Sequence, residues 1–194
     1  MNSPETIKKY LIDGLRLTSE QSDFLLPRIK HRTYNKDETI FKPGDICNEL
    51  FYMTGGLVRC FYILEEKDVN LRLMCDGSAV LAYSSFIQQS PSQEYIQCLA
   101  DCEGYVFSLK DMKSIRDNVP QIERYRRLIA ERHYLSMERR LFTLQFKTAE
   151  EKYQHFLEYM EEKIVNDTPA HHVAHYLGVT PESLSRIKRQ LTKC

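Results

Sequence analysis

The stretch from Thr168 to Leu191 leaves the end of this chain little freedom, because it holds two helix starts with a glycine between them. Thr168-Pro169 and Thr180-Pro181 each put a capping hydroxyl before a proline, which loses nothing in a first helical turn whose N–H groups have no partner. Gly178 stands where one short helix must stop and the chain must turn into the next, a step that needs the positive φ glycine adopts cheaply. Val173, Leu177, Val179, Leu184, Ile187 and Leu191 recur at the spacing that locks two such helices along one apolar seam. The expected unit is a helix-turn-helix.

Its second helix leaves Glu182, Ser183, Ser185, Arg186, Lys188 and Arg189 on the free face. The 27 Lys+Arg and 27 Asp+Glu of the chain cancel, so no long-range field draws the molecule to a polyanion, and any nucleic-acid affinity must be local. From Thr168 to Cys194 the charge is local and positive: Arg186, Lys188, Arg189 and Lys193 stand against Glu182 alone. A recognition helix offers its first residues to base edges in the major groove while hydroxyls and cations hold phosphates. Arg186 suits guanine N7 and O6, Glu182 suits a cytosine amine, and Thr180, Pro181, Ser183, Ser185 and Arg189 complete the expected double-stranded DNA contact set.

Upstream the texture changes twice. Thr18-Ser19-Glu20-Gln21 is a capping box before Phe24, Leu25 and Ile29, and Ser3-Pro4-Glu5 opens an earlier helix. From about Thr39 to Leu109 short β-prone runs alternate with turns at Pro43-Gly44-Asp45, Gly55-Gly56, Glu65 to Asp68 and Asp76-Gly77, the spacing of a compact all-β roll or barrel. Helical periodicity then returns. Between Pro120 and Phe146 there is no further Gly or Pro, and Leu128, Leu135 and Phe142 recur every seven residues beside Ile122, Tyr125 and Ile129, a pattern expected of a dimer helix. Thr148-x-x-Glu151 is a further capping box, followed by a stripe of Tyr153, Phe156, Leu157, Met160 and Ile164 on one expected helix. The fold class is α+β, in three parts: a sensor domain over 1–118, a dimerisation helix over 119–146 and a DNA-binding domain over 147–194.

Other chemistries find little support. No histidine falls between 39 and 109, so the roll lacks the ligands of a cupin-type metal oxygenase, and neither a phosphate-binding glycine loop nor a nucleophile elbow is present; an enzyme is not expected. His171 and His175 are four apart but make an incomplete metal site and are read as surface histidines. Cys98 and Cys102 are placed on one face of a single strand, and the six cysteines are read as small buried hydrophobes, with no cofactor. The opening residues lack the apolar stretch of a signal peptide and no window is long enough to span a membrane, so a cytoplasmic protein is expected.

Val-Ala-His-Tyr-Leu-Gly-Val-Thr-Pro-Glu-Ser-Leu-Ser-Arg-Ile, from Val173 to Ile187, resembles the helix-turn-helix signature of the CRP/FNR family of bacterial transcription regulators. Lys42-Pro-Gly-Asp45 and the run from Leu50 to Arg59 resemble the glycine-bearing turns of that family's cyclic-nucleotide-type jelly roll. The resemblance implies a homodimer that reads a two-fold-related DNA site and works with RNA polymerase, with Glu182 and Arg186 at its base-reading positions. Pro181 stands where catabolite-type members have a further arginine, and the chain stops at Cys194 with little room for terminal wing strands. The positions of the family's nucleotide-binding Gly-Glu and Arg-Ser pairs fall at Leu81-Ala82 and Ser92-Gln93. A buried cyclic phosphate without a cation is costly. The expected effector is therefore a neutral or apolar small molecule held by Leu81, Tyr83, Ser84, Ser85 and Phe86, unless that pocket is collapsed; Arg59 and Arg72 are expected to face solvent as strand arginines usually do, the alternative being that one of them points inward and supplies an anion site. The competing expectation is an effector-binding roll that acts through a protein partner, its helix-turn-helix being degenerate.

Overall fold

The computed structural model describes residues 16–191; the expected helix at Ser3-Pro4-Glu5 and the cation Lys193 lie outside them. Helix α1 (Ser19–Leu25) opens on the expected box, in which the Gln21 amide donates to Thr18 Oγ1 at 3.2 Å and the Thr18 amide to Gln21 Oε1 at 3.1 Å. The helix does not run on to Ile29. Pro27 ends it in a 3-10 turn (Leu26–Arg28), and the chain passes straight into β1 (Ile29–Tyr34), so β structure begins before Thr39.

The strands β2 (Thr39–Phe41), β3 (Glu49–Gly55), β4 (Leu57–Leu64), β5 (Lys67–Cys75) and β6 (Ala79–Val80), the helix α2 (Tyr83–Gln88), then β7 (Tyr95–Cys98) and β8 (Cys102–Ser108) complete a roll. Two four-stranded antiparallel sheets face each other, in the orders β1-β8-β3-β6 and β2-β7-β4-β5. Phe51, Met53, Val58, Val80 and Ile96 fill the space between them. At Gly104 the backbone of β3 comes so close that a Cβ would lie 2.1 Å from the Tyr52 carbonyl, so only glycine fits. Cys98 and Cys102 do not share a strand: Leu99 to Asp101 turn the chain between β7 and β8, and the two thiols meet across that turn.

Helices α3 (Leu109–Asn118), α4 (Gln121–Phe146), α5 (Ala149–Tyr159), α6 (Glu162–Asp167), α7 (Ala170–Leu177) and α8 (Pro181–Leu191) follow. The first turns of α4 belong to the roll: Ile122 is buried in its core and Tyr125 packs against it, which takes both out of the expected seven-residue seam. Further along, Leu128, Leu135 and Phe142 are 39%, 53% and 54% exposed. The stripe expected on one helix after Thr148 is divided between two, because Met160 adopts an extended φ of −91° and ψ of 149°. Phe156 and Ile164 still meet in a core, while Leu157 faces solvent.

That second core is shared. Phe156, Ile164, Val173, Ala174, Leu177 and Leu184 pack against Leu57, Leu73, Cys75 and Leu99 of the roll, so the helical C-terminal part rests on the outer face of the β2-β7-β4-β5 sheet. This contact buries both faces of β4 from Leu57 to Phe61, which removes the alternation a half-exposed strand would show there.

Candidate nucleic-acid interface and sensor core

In the C-terminal pair, Gly178 closes α7 at φ +64° and the Val179 amide donates to the Ala174 carbonyl at 3.1 Å. The Ser183 amide donates to Thr180 Oγ1 at 3.2 Å, so Thr180 caps α8 as expected, with Pro181 in its first turn. Thr168 does not cap α7: the helix starts one residue later, after Pro169, and the Thr168 hydroxyl is buried without a partner. Leu184 and Ile187 are buried under α8, whereas Thr180, Pro181, Glu182, Ser185, Arg186 and Arg189 are exposed and Ser183 is half-buried. The Glu182 amide and the Thr180 hydroxyl hold the Glu182 carboxyl below its usual range, which keeps it an acceptor at neutral pH. Lys188 turns back, its ammonium 5.6 Å from the ring of Tyr153.

The roll departs further from expectation, because both strand arginines are buried. In β5 the register steps from Phe61↔Asn70 to Cys60↔Arg72, leaving Leu71 as the extra residue of a bulge. The bulge reverses the alternation. Asp68 and Asn70 thereby share the outer face with Leu73 and Cys75, and Arg72 enters the roll. There its guanidinium donates to Glu94 Oε2 at 2.7 Å and to the Leu81 carbonyl at 3.1 Å, beside Cys60, whose thiol burial pushes up to about 12. Arg59 lies on the outer face, stacked 3.7 Å from the Phe61 ring centroid, paired with Asp68 and donating to Gln97 Oε1 at 2.9 Å.

The five residues expected to hold an effector are not gathered in one place. Phe86 belongs to the roll core. Leu81 and Tyr83 border an open cleft of about 770 Å³ between the roll, α4 and α5, which Leu128, Ile129 and Leu135 also line. Ser84 and Ser85 border a smaller cleft of about 240 Å³ with Ser92, Gln93 and Glu94; no Lys or Arg lines it.

A polar joint connects the two parts. Asn70 Nδ2 donates to the His172 carbonyl at 2.8 Å, and Arg140 of α4 donates to the carbonyls of both Asn70, at 2.6 Å, and Tyr176, at 2.7 Å. Of the two histidines expected at the surface, His171 is exposed while His175 is half-buried with its Nδ1 enclosed, and His172 between them is buried. Neither the joint nor the Arg72–Glu94 pair carries a local sequence signal; the unbalanced Arg59 and Arg72 in apolar strands are the nearest to one.

Residues 31–118 match the cyclic nucleotide-binding domain family. The whole architecture is similar to that of FixK2 from Bradyrhizobium japonicum, 19% identical, with 85% of each chain covered and a TM-score of 0.73. The chain has the CRP/FNR fold. Of the CRP/FNR structures, a CooA mutant from Carboxydothermus hydrogenoformans is 17% identical, with 94% of this chain and 84% of that one covered and a TM-score of 0.76. The c-di-GMP-responsive global regulator CLP of Xanthomonas campestris is 18% identical over 91% of this chain and 92% of its own, with a TM-score of 0.70. In sequence, Electron transport regulator A of Shewanella oneidensis is 22% identical over 184 residues, 90% of this chain and 72% of that protein. Among the described residues no helix is long and apolar enough to cross a membrane.

Proposed function

We propose that this CRP/FNR-fold chain is a cytoplasmic transcription regulator, not an enzyme, which binds a two-fold-related duplex DNA site as a homodimer and engages RNA polymerase there. The observation that carries the reading is α8, where Leu184 and Ile187 are buried while Glu182, Ser185, Arg186 and Arg189 all face outward. Such a helix can enter a major groove without unpacking its hydrophobic side. Arg186 then reads guanine, the charged Glu182 accepts from a cytosine amine, and Thr180, Pro181, Ser183, Ser185 and Arg189 meet backbone and neighbouring bases. Two such helices must lie about one DNA turn, ~34 Å, apart. The exposed Leu128, Leu135 and Phe142 of α4 offer the surface on which a second copy would complete that pair.

The effector is a small molecule other than a cyclic nucleotide. The Arg72 guanidinium inside the roll is already neutralised by Glu94, Ala82 and Ser92 stand at the family's glutamate and arginine positions, and the cleft beside Ser84 and Ser85 is lined by Glu94 without a cation. An anionic phosphate entering there would meet a carboxylate and no charge partner.

The test is titration of a selected duplex at several salt concentrations. The expected result is a steep loss of affinity with salt, and for Arg186→Ala a cost of about 1–3 kcal/mol per half-site with relaxed base preference. Arg189→Ala should instead weaken all sequences alike. Unchanged affinity and preference in Arg186→Ala, or salt-independent binding, would overturn the reading.

A further inference from the structure

The joint between the roll and the helix-turn-helix brings together three metal-ligating side chains from distant parts of the chain. Asp68 of β5 and His172 and His175 of α7 offer ligand atoms that all lie within 4.8 Å of one another. They meet because His172 and His175, three residues apart, share one face of α7, and because the β5 bulge turns Asp68 toward that face. His175 Nδ1 is buried and has no hydrogen-bond partner. A buried nitrogen left empty-handed is uncommon, and this one stands beside a carboxylate and a second imidazole.

The same place now holds a cation of the protein's own. Arg59 is paired with Asp68, and its Nη1 lies 3.2 Å from His172 Nδ1. A guanidinium can only donate, so His172 Nδ1 presents a lone pair, which faces Arg59. Arg59 is also held by Gln97 and by the face of Phe61, contacts it keeps if its hold on Asp68 and His172 is exchanged for an ion.

We propose that Asp68, His172 and His175 bind a divalent transition metal of the Zn2+ class across this joint, with a fourth position open to water, and that the Arg59 guanidinium takes the cation's place when no metal is bound. Two imidazoles and one carboxylate form an established donor set for such an ion. Around a tetrahedral ion the ligand atoms stand about 3.4 Å apart, which small side-chain rotations achieve from the observed spacing. The ion would tie α7 directly to β5, and so set the angle at which α8 leaves the roll. The site itself does not depend on the DNA-binding reading.

The experiment is titration of the metal-free full chain with Co2+, followed by visible absorption, with Zn2+ added as competitor. One equivalent should give the d–d absorption of a tetrahedral nitrogen and oxygen site, without a thiolate charge-transfer band, and Zn2+ should displace it. Asp68→Asn and His175→Gln should each weaken binding tenfold or more while circular dichroism shows the fold retained, and Arg59→Gln should tighten it by removing the competing cation. Absence of binding, a thiolate band that places the ion on cysteine, or unchanged affinity in both ligand variants would each overturn the proposal. If the variants unfold, the wild-type spectrum alone still decides between imidazole-carboxylate and thiolate ligation.

Discussion

The side-chain amide of Asn70, in the roll, donates to the main-chain carbonyl of His172, in the first helix of the helix-turn-helix, at 2.8 Å and with no solvent access to Asn70. The bond joins the helix-turn-helix to the roll's surface. Removing it leaves the buried carbonyl one partner short, which typically costs about 1–3 kcal/mol. Asn70→Ala should therefore lower the unfolding free energy measured in urea by that amount and raise amide exchange in α7 more than in β3; equal protection changes in both would show that the bond is not a joint.

Gly178 ends α7 at φ +64°, and a Cβ there would meet only Leu144 Cδ2, at an ordinary 3.5 Å. Space is not the constraint; the backbone is. Gly178→Ala should cost about 1–2 kcal/mol through the left-handed conformation alone, read as a fall in thermal midpoint with the cooperativity of unfolding retained.

His133 of α4 lies flat against Tyr83, with ring centroids 4.6 Å apart, and burial followed by the nearby Arg72 guanidinium pushes its pKa down, opposed by Glu94. A depressed histidine means that below about pH 6.5, the usual value, the unfolded chain takes up a proton that the folded chain still excludes. Its contribution to stability is complete above that pH and is lost as pH falls toward the folded-state value. Denaturation at a series of pH values should show this decline, and His133→Gln should flatten it; an unchanged slope would remove His133 from the cause.

Leu135 is 53% exposed on the outer line of α4. If a second copy covers it, Leu135→Glu buries a charge in an apolar seam and should shift sedimentation from dimer to monomer at micromolar concentration, with unaltered circular dichroism. A wild type that sediments as a monomer with and without DNA would refute the homodimer.

The Arg72–Glu94 pair leaves the roll no free internal cation for a phosphate among the residues lining the smaller cleft. Calorimetry with cyclic AMP and cyclic GMP should give no saturable heat in the micromolar range. A dissociation constant at or below about 10 μM, near −7 kcal/mol, would mean that Glu94 yields its partner to the ligand.

Local signals in the sequence determined the helix-turn-helix, because its caps, its Gly178 turn and its apolar seam each act within a few residues. The same holds for the capping boxes at Thr18 and Thr148, whose reciprocal bonds form as expected. Sequence periodicity also indicated that a β-roll precedes a long helix. It could not show that Ile122 and Tyr125 pack inward on the roll while Leu128, Leu135 and Phe142 stay outside, since a seven-residue repeat does not say which neighbour covers which turn. Nor could it place Arg59, Arg72 or Asp68, because a single bulge at Leu71 reverses the facing of β5 and a second layer buries the outer face of β4. A strand's face depends on register and on what lies above it, and both are settled only when distant segments pack. For that reason the helix pair around Gly178 was legible from the sequence by itself, while the Arg72–Glu94 pair and the Asp68, His172 and His175 group exist only in the tertiary structure.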